Sequence, residues 1–268
     1  GAAAYAARLG AQVTMIERDV GGGAAHLWDC IPSKTMTATG GAISFSRRIR
    51  GMGLEQTEPE IDEAALTDRF RLTRCRVAPG LGPGVDPARA IAPAAASELE
   101  RVLRMPQPQV IAFGTGRALR AMAEQFTFSD PVQHRIVSLL GNIAPDGSAT
   151  LYDVISRIAE KLNATYYPMP VPVISDTAEE REFFMHLRPV RTVFDLARKA
   201  DVTFIGVGQM GPEAPLALDG FVTTQVLGDL QGQGAVGEIA SWIYDAAGHY
   251  IDTPRNALVG GVRVEPDQ

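Results

Sequence analysis

The sequence predicts an α/β protein with a mostly parallel sheet that carries helices on both of its faces. Short apolar runs alternate with segments in which apolar residues recur every three or four positions, which is the spacing of one helix face. Two of the apolar runs end in glycine-rich turns, at residues 114–117 and 206–211. Alternating strands and helices favour parallel pairing, with ligands bound where the carboxyl ends of strands meet loops.

Before residue 61 the chain predicts one helix–strand step followed by a second helix. The elements are an alanine-rich helix at residues 1–10, a strand at residues 13–16, a glycine turn at residues 21–23 and a helix that ends near Arg48. The acidic Glu17 closes the predicted strand. Residues 51–60 are looser and acidic, and we expect a domain boundary there.

From residue 61 onward the alternation of helix and strand becomes regular. The segment after the first turn shows the helical spacing most clearly, through Leu119, Met122, Ala123 and Phe126. Ser175 is the expected N-cap of a helix that runs through Phe184. The other predicted elements are helices at residues 95–103, 154–162 and 193–200, and strands at residues 109–113, 134–140, 164–167 and 202–206.

The first glycine-rich turn, which we call the first glycine loop, consists of Gly114, Thr115, Gly116 and Arg117. It joins an apolar run to a helix, so it presents backbone N–H groups and a helix N-terminus. Glycine permits close backbone approach, the helix dipole favours negative charge, and an arginine fork suits a phosphate. The loop is therefore a candidate phosphate site, with an ordinary strand-to-helix turn as the alternative.

Composition and charge argue against several classes of function. The net charge of −6 and the isoelectric point near 5.3 disfavour a general nucleic-acid surface. No apolar run is long enough to span a membrane, and no signal segment opens the chain. Cys30 and Cys75 form no disulfide framework, and the scattered histidines offer no metal-ligand spacing. We therefore expect a cytoplasmic protein without a metal.

From about residue 61 to Gln268 the chain resembles the effector-binding domain of SorC/DeoR-type bacterial sugar-responsive transcriptional regulators. The matching motifs are FGTGRALR at residues 113–120, LLGN at 139–142, ADVTFIGVGQMGP at 200–212, GAVGEI at 234–239, YDAAG at 244–248, and Asn256. The resemblance implies a sugar isomerase-like, Rossmann-like fold that binds a phosphorylated sugar or related metabolite. It also implies a dimer or tetramer that contacts DNA only through a helix-turn-helix domain, which we expect to be absent from this chain.

The same resemblance assigns roles to single residues. The first glycine loop matches the phosphate-holding loop of the family, and Glu238 matches an acidic residue of its effector pocket. The further predicted effector-binding residues, which lie in the matching motifs, are Gly141, Gly206, Gly208 and Gln209. Ala118 departs from the family pattern, where a threonine is usual, so one hydroxyl donor is missing beside the loop. The resemblance implies neither a catalytic residue nor a cofactor.

The first sixty residues resemble a different family, the FAD-binding start of flavoprotein disulfide reductases such as dihydrolipoamide dehydrogenase. The matching stretches are LGAQVTMIER at residues 9–18 and GGAAHLWDCIPSK at residues 22–34. The cofactor contacts that this likeness implies are Glu17, Gly22, Ser33 and Lys34. The glycine turn for the pyrophosphate is missing, however, and Ala25 stands five residues before Cys30, where the family has the other cysteine of the redox pair, which leaves Cys30 without a partner. We therefore expect no FAD.

The two resemblances together predict a composite chain. A truncated FAD-binding-like fragment, in effect a partial Rossmann unit, occupies residues 1–60, and an effector-binding domain with a truncated end occupies residues 61–268. The seam is expected between Glu55 and Arg74. The motifs favour sensing of a phosphorylated sugar. The alternatives are a fragment of a flavin oxidoreductase, a sugar-phosphate isomerase with Glu238 as its candidate base, and a folded chimera without function.

Overall fold

The computed structural model describes residues 14–17, 62–70, 72–78, 86–128, 130, 132–149 and 154–264. Its strands are β1 (Thr14–Glu17), β2 (Arg74–Val77), β3 (Val110–Phe113), β4 (Arg135–Ile143), β5 (Tyr166–Pro172), β6 (Val202–Phe204), β7 (Gly208–Gln209), β8 (Gly237–Ile239) and β9 (Trp242–Tyr244). Its helices are α1 (Glu63–Phe70), α2 (Pro87–Leu103), α3 (Arg117–Gln125), α4 (Val154–Leu162), α5 (Ala178–His186), α6 (Arg188–Arg198), α7 (Pro215–Leu218) and α8 (Thr224–Gly232). A 3-10 turn follows at Asn256–Leu258.

A four-stranded parallel sheet in the order β5-β4-β3-β6 lies at the centre of the fold. Val110 of β3 is opposite Arg135 of β4, and Ile111 of β3 is opposite Val202 of β6. Consecutive strands of this sheet are connected through helices, as parallel pairing requires. The predicted α/β class with a parallel sheet is confirmed.

Helices cover both faces of this sheet, and the alternation of side chains along β3 shows why. Ile111 and Phe113 belong to one core cluster with helices α2, α3 and α4. The alternate residues, Val110 and Ala112, belong to a second cluster with helix α6. Successive strand residues face opposite sides of a sheet, so a strand that is covered on both sides is apolar throughout. Strand β3 follows this rule, because all four of its residues are buried.

Residues 206–211, which we call the second glycine segment, are more than the simple turn that the sequence predicted. Gly208 and Gln209 form strand β7, which pairs antiparallel with β8 in a separate β7-β8-β9 sheet. Gly208 is opposite Glu238, and Gln209 is opposite Gly237. The chain therefore leaves the parallel sheet after β6 and enters a smaller antiparallel sheet.

Several element boundaries differ from the sequence prediction: the helices predicted at 95–103 and 193–200 span Pro87–Leu103 and Arg188–Arg198, and strand β6 ends at Phe204 rather than at residue 206. Helix α5 is capped by Thr177 rather than by Ser175, because the Thr177 hydroxyl accepts a hydrogen bond from the Glu180 N–H at 3.1 Å. Ser175 is instead buried. Strand β4 continues to Ile143 and β5 to Pro172, since the two segments pair with each other beyond the predicted ends.

The strand predicted at residues 13–16 is present as β1, and it pairs in parallel with β2. The register places Thr14 opposite Arg74 and Glu17 opposite Val77. A small cluster beside β2 consists of Leu66, Leu72 and Cys75. The pairing thus joins a strand from the first sixty residues to a strand beyond residue 61, while the division into two domains remains a prediction.

Candidate functional site

The first glycine loop and the second glycine segment lie close together, because they follow neighbouring parallel strands. Strand β3 ends at Phe113 and β6 ends at Phe204, and these two residues pair with each other. The Gly114 N–H donates to the Phe204 carbonyl oxygen at 2.8 Å. Ligands of open parallel sheets bind at this carboxyl edge. The two predicted glycine-rich features therefore share one edge of the sheet.

The first glycine loop opens helix α3 with a backbone that requires glycine. Gly116 precedes the helix and has a φ of 121° and a ψ of 171°. Residues with a side chain rarely adopt this conformation. Gly116 also supplies no capping side chain. The first turn therefore presents N–H groups at the positive end of the helix dipole, which is the arrangement that binds anions.

Arg117, the last residue of the first glycine loop, forms an ion pair with Asp219. Arg117 Nη2 lies 3.3 Å from Asp219 Oδ1, and the arginine side chain is 43% exposed. Asp219 follows helix α7 and is 102 positions away in the sequence. Solvent screens such a pair, so its net stabilisation is small, roughly 0–1 kcal/mol. A bound anion would compete with Asp219 for the same guanidinium group.

Glu238 of β8 lies directly across from Gly208 of β7. Its carboxylate occupies the space that a Cβ on Gly208 would take, so a larger residue at 208 would displace the Glu238 side chain. The Gln209 side-chain oxygen accepts a hydrogen bond from the Gly211 N–H and holds the backbone after β7. Gly206 has room for a side chain, since a Cβ there would be 3.8 Å from its nearest neighbour, a carbonyl oxygen of the first glycine loop. Within the second glycine segment, the absence of a side chain at Gly208 thus makes room for the Glu238 carboxylate, whereas Gly206 is an open position.

Glu238 and the buried Arg255 are connected through the backbone of Ser241. The Ser241 N–H donates to Glu238 Oε2 at 2.8 Å, and Arg255 Nη1 donates to the Ser241 carbonyl oxygen at 2.9 Å. Burial raises the pKa of Glu238 and the Asp219 charge adds to this, while the Ser241 hydrogen bond and the Arg255 charge oppose it. Burial lowers the pKa of Arg255 to about 10. The site therefore holds a desolvated acid near a desolvated base.

We predict that Glu238→Gln changes how the stability of the unliganded protein depends on pH. Because the pKa of Glu238 is raised in the folded state, its contribution to stability is present below the unfolded value near 4.5 and is lost as pH rises through the folded value. Glutamine keeps an acceptor for the Ser241 N–H without a charge. Melting temperatures between about pH 5 and about pH 8 should show the variant gaining on the parent as pH rises. A constant difference would contradict the desolvation of Glu238.

Gly141 lies within strand β4 rather than in a turn. Its N–H donates to the Gly260 carbonyl oxygen at 2.7 Å, and an added Cβ would lie 2.5 Å from the Pro172 carbonyl oxygen. Close backbone packing accounts for a glycine at this position. Effector binding by Gly141 remains a prediction.

The structure describes only one of the four residues predicted from the flavoprotein likeness. Glu17 belongs to β1, and Gly22, Ser33 and Lys34 lie outside the described residues. Their cofactor roles, and the expectation that the chain holds no FAD, remain predictions. Within the described part of the chain, no helix combines the length and apolar character that crossing a membrane requires.

Two polar side chains of this site carry no clear signal in the sequence, namely Asp219 and Arg255. Asp219 ends a four-residue helix and Arg255 precedes a 3-10 turn, so neither lies in a strand–loop–helix pattern. Ser241 has a weak signal, because two short strand-like runs separated by two residues indicate a hairpin. The two charged side chains that accompany the predicted site residues, Asp219 and Arg255, could therefore be identified only from the fold.

Comparison with known families agrees with this architecture. Residues 57–266 match the family model described as "Putative sugar-binding domain". The chain belongs to this family. The resemblance to SorC/DeoR-type regulators that the motifs indicated is thus confirmed, and the two glycine-rich features and Glu238 all lie within the matched sugar-binding domain.

Two curated relatives of this sugar-binding domain are named as regulators rather than as enzymes. The erythritol catabolism regulatory protein of Brucella abortus is 34% identical over 198 residues, which are 74% of this chain and 62% of that protein. The deoxyribonucleoside regulator of Bacillus subtilis is 26% identical over 131 residues, which are 48% of this chain and 42% of that protein. The chain thus spans less than two thirds of the length of these relatives.

Solved structures share the fold of the sugar-binding domain. The full-length sorbitol operon regulator SorC from Klebsiella pneumoniae gives a TM-score of 0.66 at 21% identity, over 85% of this chain and 75% of that chain. A DeoR family transcriptional regulator from Listeria monocytogenes gives 0.66 at 18% identity, over 74% of this chain and 78% of that chain. At these identities the likeness establishes the fold alone.

Proposed function

We propose that this sugar-binding domain is the metabolite-sensing part of a bacterial transcriptional regulator, and that its effector is a phosphorylated sugar or sugar alcohol. The names of two relatives, a regulator of erythritol catabolism and a deoxyribonucleoside regulator, support this role. In this proposal DNA is bound by another part of the full-length regulator. The net charge of −6 on this chain is consistent with that division, because phosphate contacts require clustered cations.

The first glycine loop is the main support for a phosphate group on the effector. Gly116 opens a helix N-terminus without a capping side chain, and Arg117 places a guanidinium group at the same point. Backbone N–H donors, a positive helix end and an arginine fork together suit a phosphate. A bound phosphate would take the place of the Asp219 carboxylate beside Arg117.

Glu238 is the main support for hydroxyl groups on the effector. An ionised carboxylate only accepts hydrogen bonds, so it suits the hydroxyl groups of a sugar or sugar alcohol. Glu238 lies over Gly208, within the second glycine segment that neighbours the first glycine loop. An anion site and an acceptor at one edge of the sheet match a molecule with phosphate at one end and hydroxyl groups along its length.

A thermal-shift screen tests this function directly. The panel consists of erythritol, erythritol 4-phosphate, ribose, ribose 5-phosphate, 2-deoxyribose 5-phosphate, glucose, glucose 6-phosphate and inorganic phosphate. A compound that binds only the native state raises its stability by about 2.7 kcal/mol at a hundredfold excess over the Kd. That gain corresponds to a rise in Tm of roughly 5–10 °C for a chain of this size.

We expect at least one phosphorylated compound to produce such a shift and its unphosphorylated counterpart to produce a much smaller one. Inorganic phosphate serves as the control for occupancy of the anion site alone. Two outcomes contradict the proposal: no shift with any phosphorylated compound, or equal shifts with and without the phosphate in every matched pair.

A further inference from the structure

Arg255 is a buried arginine whose donors are only partly used. Its side chain and backbone together are 8% exposed, and Nη1 donates to the Ser241 carbonyl oxygen at 2.9 Å. Nε and Nη2 are buried and have no hydrogen-bond partner. These two atoms form one edge of the planar guanidinium group, the edge that binds paired oxygen atoms in a bidentate way. Unmade bonds of a buried charged group are costly, so this edge requires an explanation.

The charge of Glu238 acts on Arg255, yet Glu238 accepts no hydrogen bond from this edge of the guanidinium group. The two charges influence each other, as the opposing effect of Arg255 on the pKa of Glu238 shows. Between these two described residues, however, there is no ion pair at 4.0 Å or less. Glu238 and Arg255 are thus joined through the backbone of Ser241, which leaves Nε and Nη2 of Arg255 unpaired. A polar group that reaches this edge would supply the missing acceptors.

The turn that connects the two charges is strained. Ala240 has a φ of 49° and Ser241 has a φ of 67°, so two residues with side chains adopt the left-handed conformation. A two-residue hairpin loop of this kind favours Asn-Gly, and each left-handed residue without glycine carries a cost. The turn gives Glu238 the N–H of Ser241 and Arg255 its carbonyl oxygen. It therefore fixes both side chains at the expense of local backbone stability.

We propose that Arg255 is a specificity-determining residue of the effector site, where its Nε–Nη2 edge donates to oxygen atoms of a hydroxylated carbon chain whose neighbouring hydroxyl donates to Glu238. This inference rests on the proposed function, which places the phosphate of the same molecule at the first glycine loop. Asp219 connects the two parts of the proposed site. It contacts Arg117 of the first glycine loop at 3.3 Å, and its charge raises the pKa of Glu238.

The chemistry selects a ligand class. In the uncharged part of a sugar or polyol, two hydroxyl oxygens on adjacent carbons provide the paired acceptors for bidentate donation from Arg255. The site therefore favours phosphates of polyols and sugars with a vicinal diol. A buried site built for hydroxyl groups strongly rejects an analogue that lacks one, because its own polar groups then stay unpaired. We therefore expect ribose 5-phosphate to bind more tightly than 2-deoxyribose 5-phosphate.

Calorimetric titration of Arg255→Lys tests the inference with three probes, namely erythritol 4-phosphate, ribose 5-phosphate and inorganic phosphate. Lysine keeps the charge but loses the bidentate edge. We expect affinity for the better-bound sugar or polyol phosphate to fall about ten- to a hundredfold, while affinity for inorganic phosphate changes less than about twofold. Arg181→Lys is the matched control, because Arg181 is also partly buried and donates to a backbone carbonyl, that of Val259. Its affinities should match those of the parent.

Three results of the titration overturn the inference: parent-like affinity in Arg255→Lys, an equal loss for inorganic phosphate, or a parent that binds inorganic phosphate but neither organic phosphate. If the parent binds none of the three probes, the phosphorylated compound with the largest thermal shift replaces the organic probes. If no phosphorylated compound of the panel shifts the Tm, the proposed function fails, and stability decides the role of Arg255. The variant Glu238→Gln/Arg255→Met removes both charges. A Tm equal to or above that of the parent would show that these two charged side chains do not stabilise the fold, which supports a role in binding. A fall of more than about 5 °C assigns Arg255 to structure and overturns the inference.

Discussion

Gly141→Ala is expected to lower the free energy of unfolding by about 3 kcal/mol or more. An added Cβ would lie 2.5 Å from the Pro172 carbonyl oxygen and closer still to that of Val171. Both atoms are backbone of strand β5, and the Gly141 N–H is tied to Gly260 at 2.7 Å, so neither side has room to move. The position lies where β4, β5 and the stretch around Gly260 pack backbone against backbone.

Denaturant unfolding of parent and variant measures this loss as a shift of the midpoint. Gly228→Ala is the matched control, because Gly228 lies inside helix α8 and nothing would lie within 4 Å of its new Cβ. That variant should gain roughly 0.5–1 kcal/mol through the better helix propensity of alanine. Equal stabilities for the two variants would show that the crowding around Gly141 is wrong.

Arg117→Ala is expected to weaken binding of a phosphorylated effector about ten- to a hundredfold, while an unphosphorylated counterpart loses little. Charge-assisted hydrogen bonds contribute roughly 1.5–3 kcal/mol each, and the guanidinium group of Arg117 stands at the N-terminus of α3. Because the ion pair with Asp219 is partly exposed, stability of the unliganded protein should change by less than about 1 kcal/mol.

Calorimetric titration of erythritol 4-phosphate and erythritol into parent and variant separates the two effects. Arg120→Ala is the control on the same helix, one turn further along, where the side chain pairs with Glu124. Asp219→Asn should act in the opposite direction, since it removes the carboxylate that competes for Arg117. Equal losses for both ligands in Arg117→Ala would mean that the first glycine loop is only a turn.

The parallel sheet and its helices were predictable because burial on both faces leaves a local mark in the sequence. The four residues of β3 are all apolar, and the helix after them repeats its apolar positions at helical spacing. The strand within the second glycine segment was not predictable in the same way. Strand β7 exists because Gly208 pairs with Glu238, and that pairing depends on a residue 30 positions later.

The candidate site was predictable only in its backbone half. Glycine at residue 116 and arginine at residue 117 indicate a helix N-terminus suited to an anion, because glycine allows a backbone conformation that few other residues adopt. Asp219 and Arg255 come from loops without periodic patterning, and their roles follow from burial and distance. Neither quantity is written in the local sequence. The Thr177 cap shows the same limit, since Ser175 offers an equally good capping side chain but is buried.

In the proposed complex, one effector lies with its phosphate at the first glycine loop and its hydroxyl groups near Glu238 and Arg255. A crystal structure with the phosphorylated compound of largest thermal shift tests it most directly. We expect phosphate oxygens within hydrogen-bond distance of Arg117 and of backbone N–H groups at the start of helix α3. Phosphate bound instead in the cavity whose lining includes Arg181, Arg198 and Arg263 would contradict this placement of the effector.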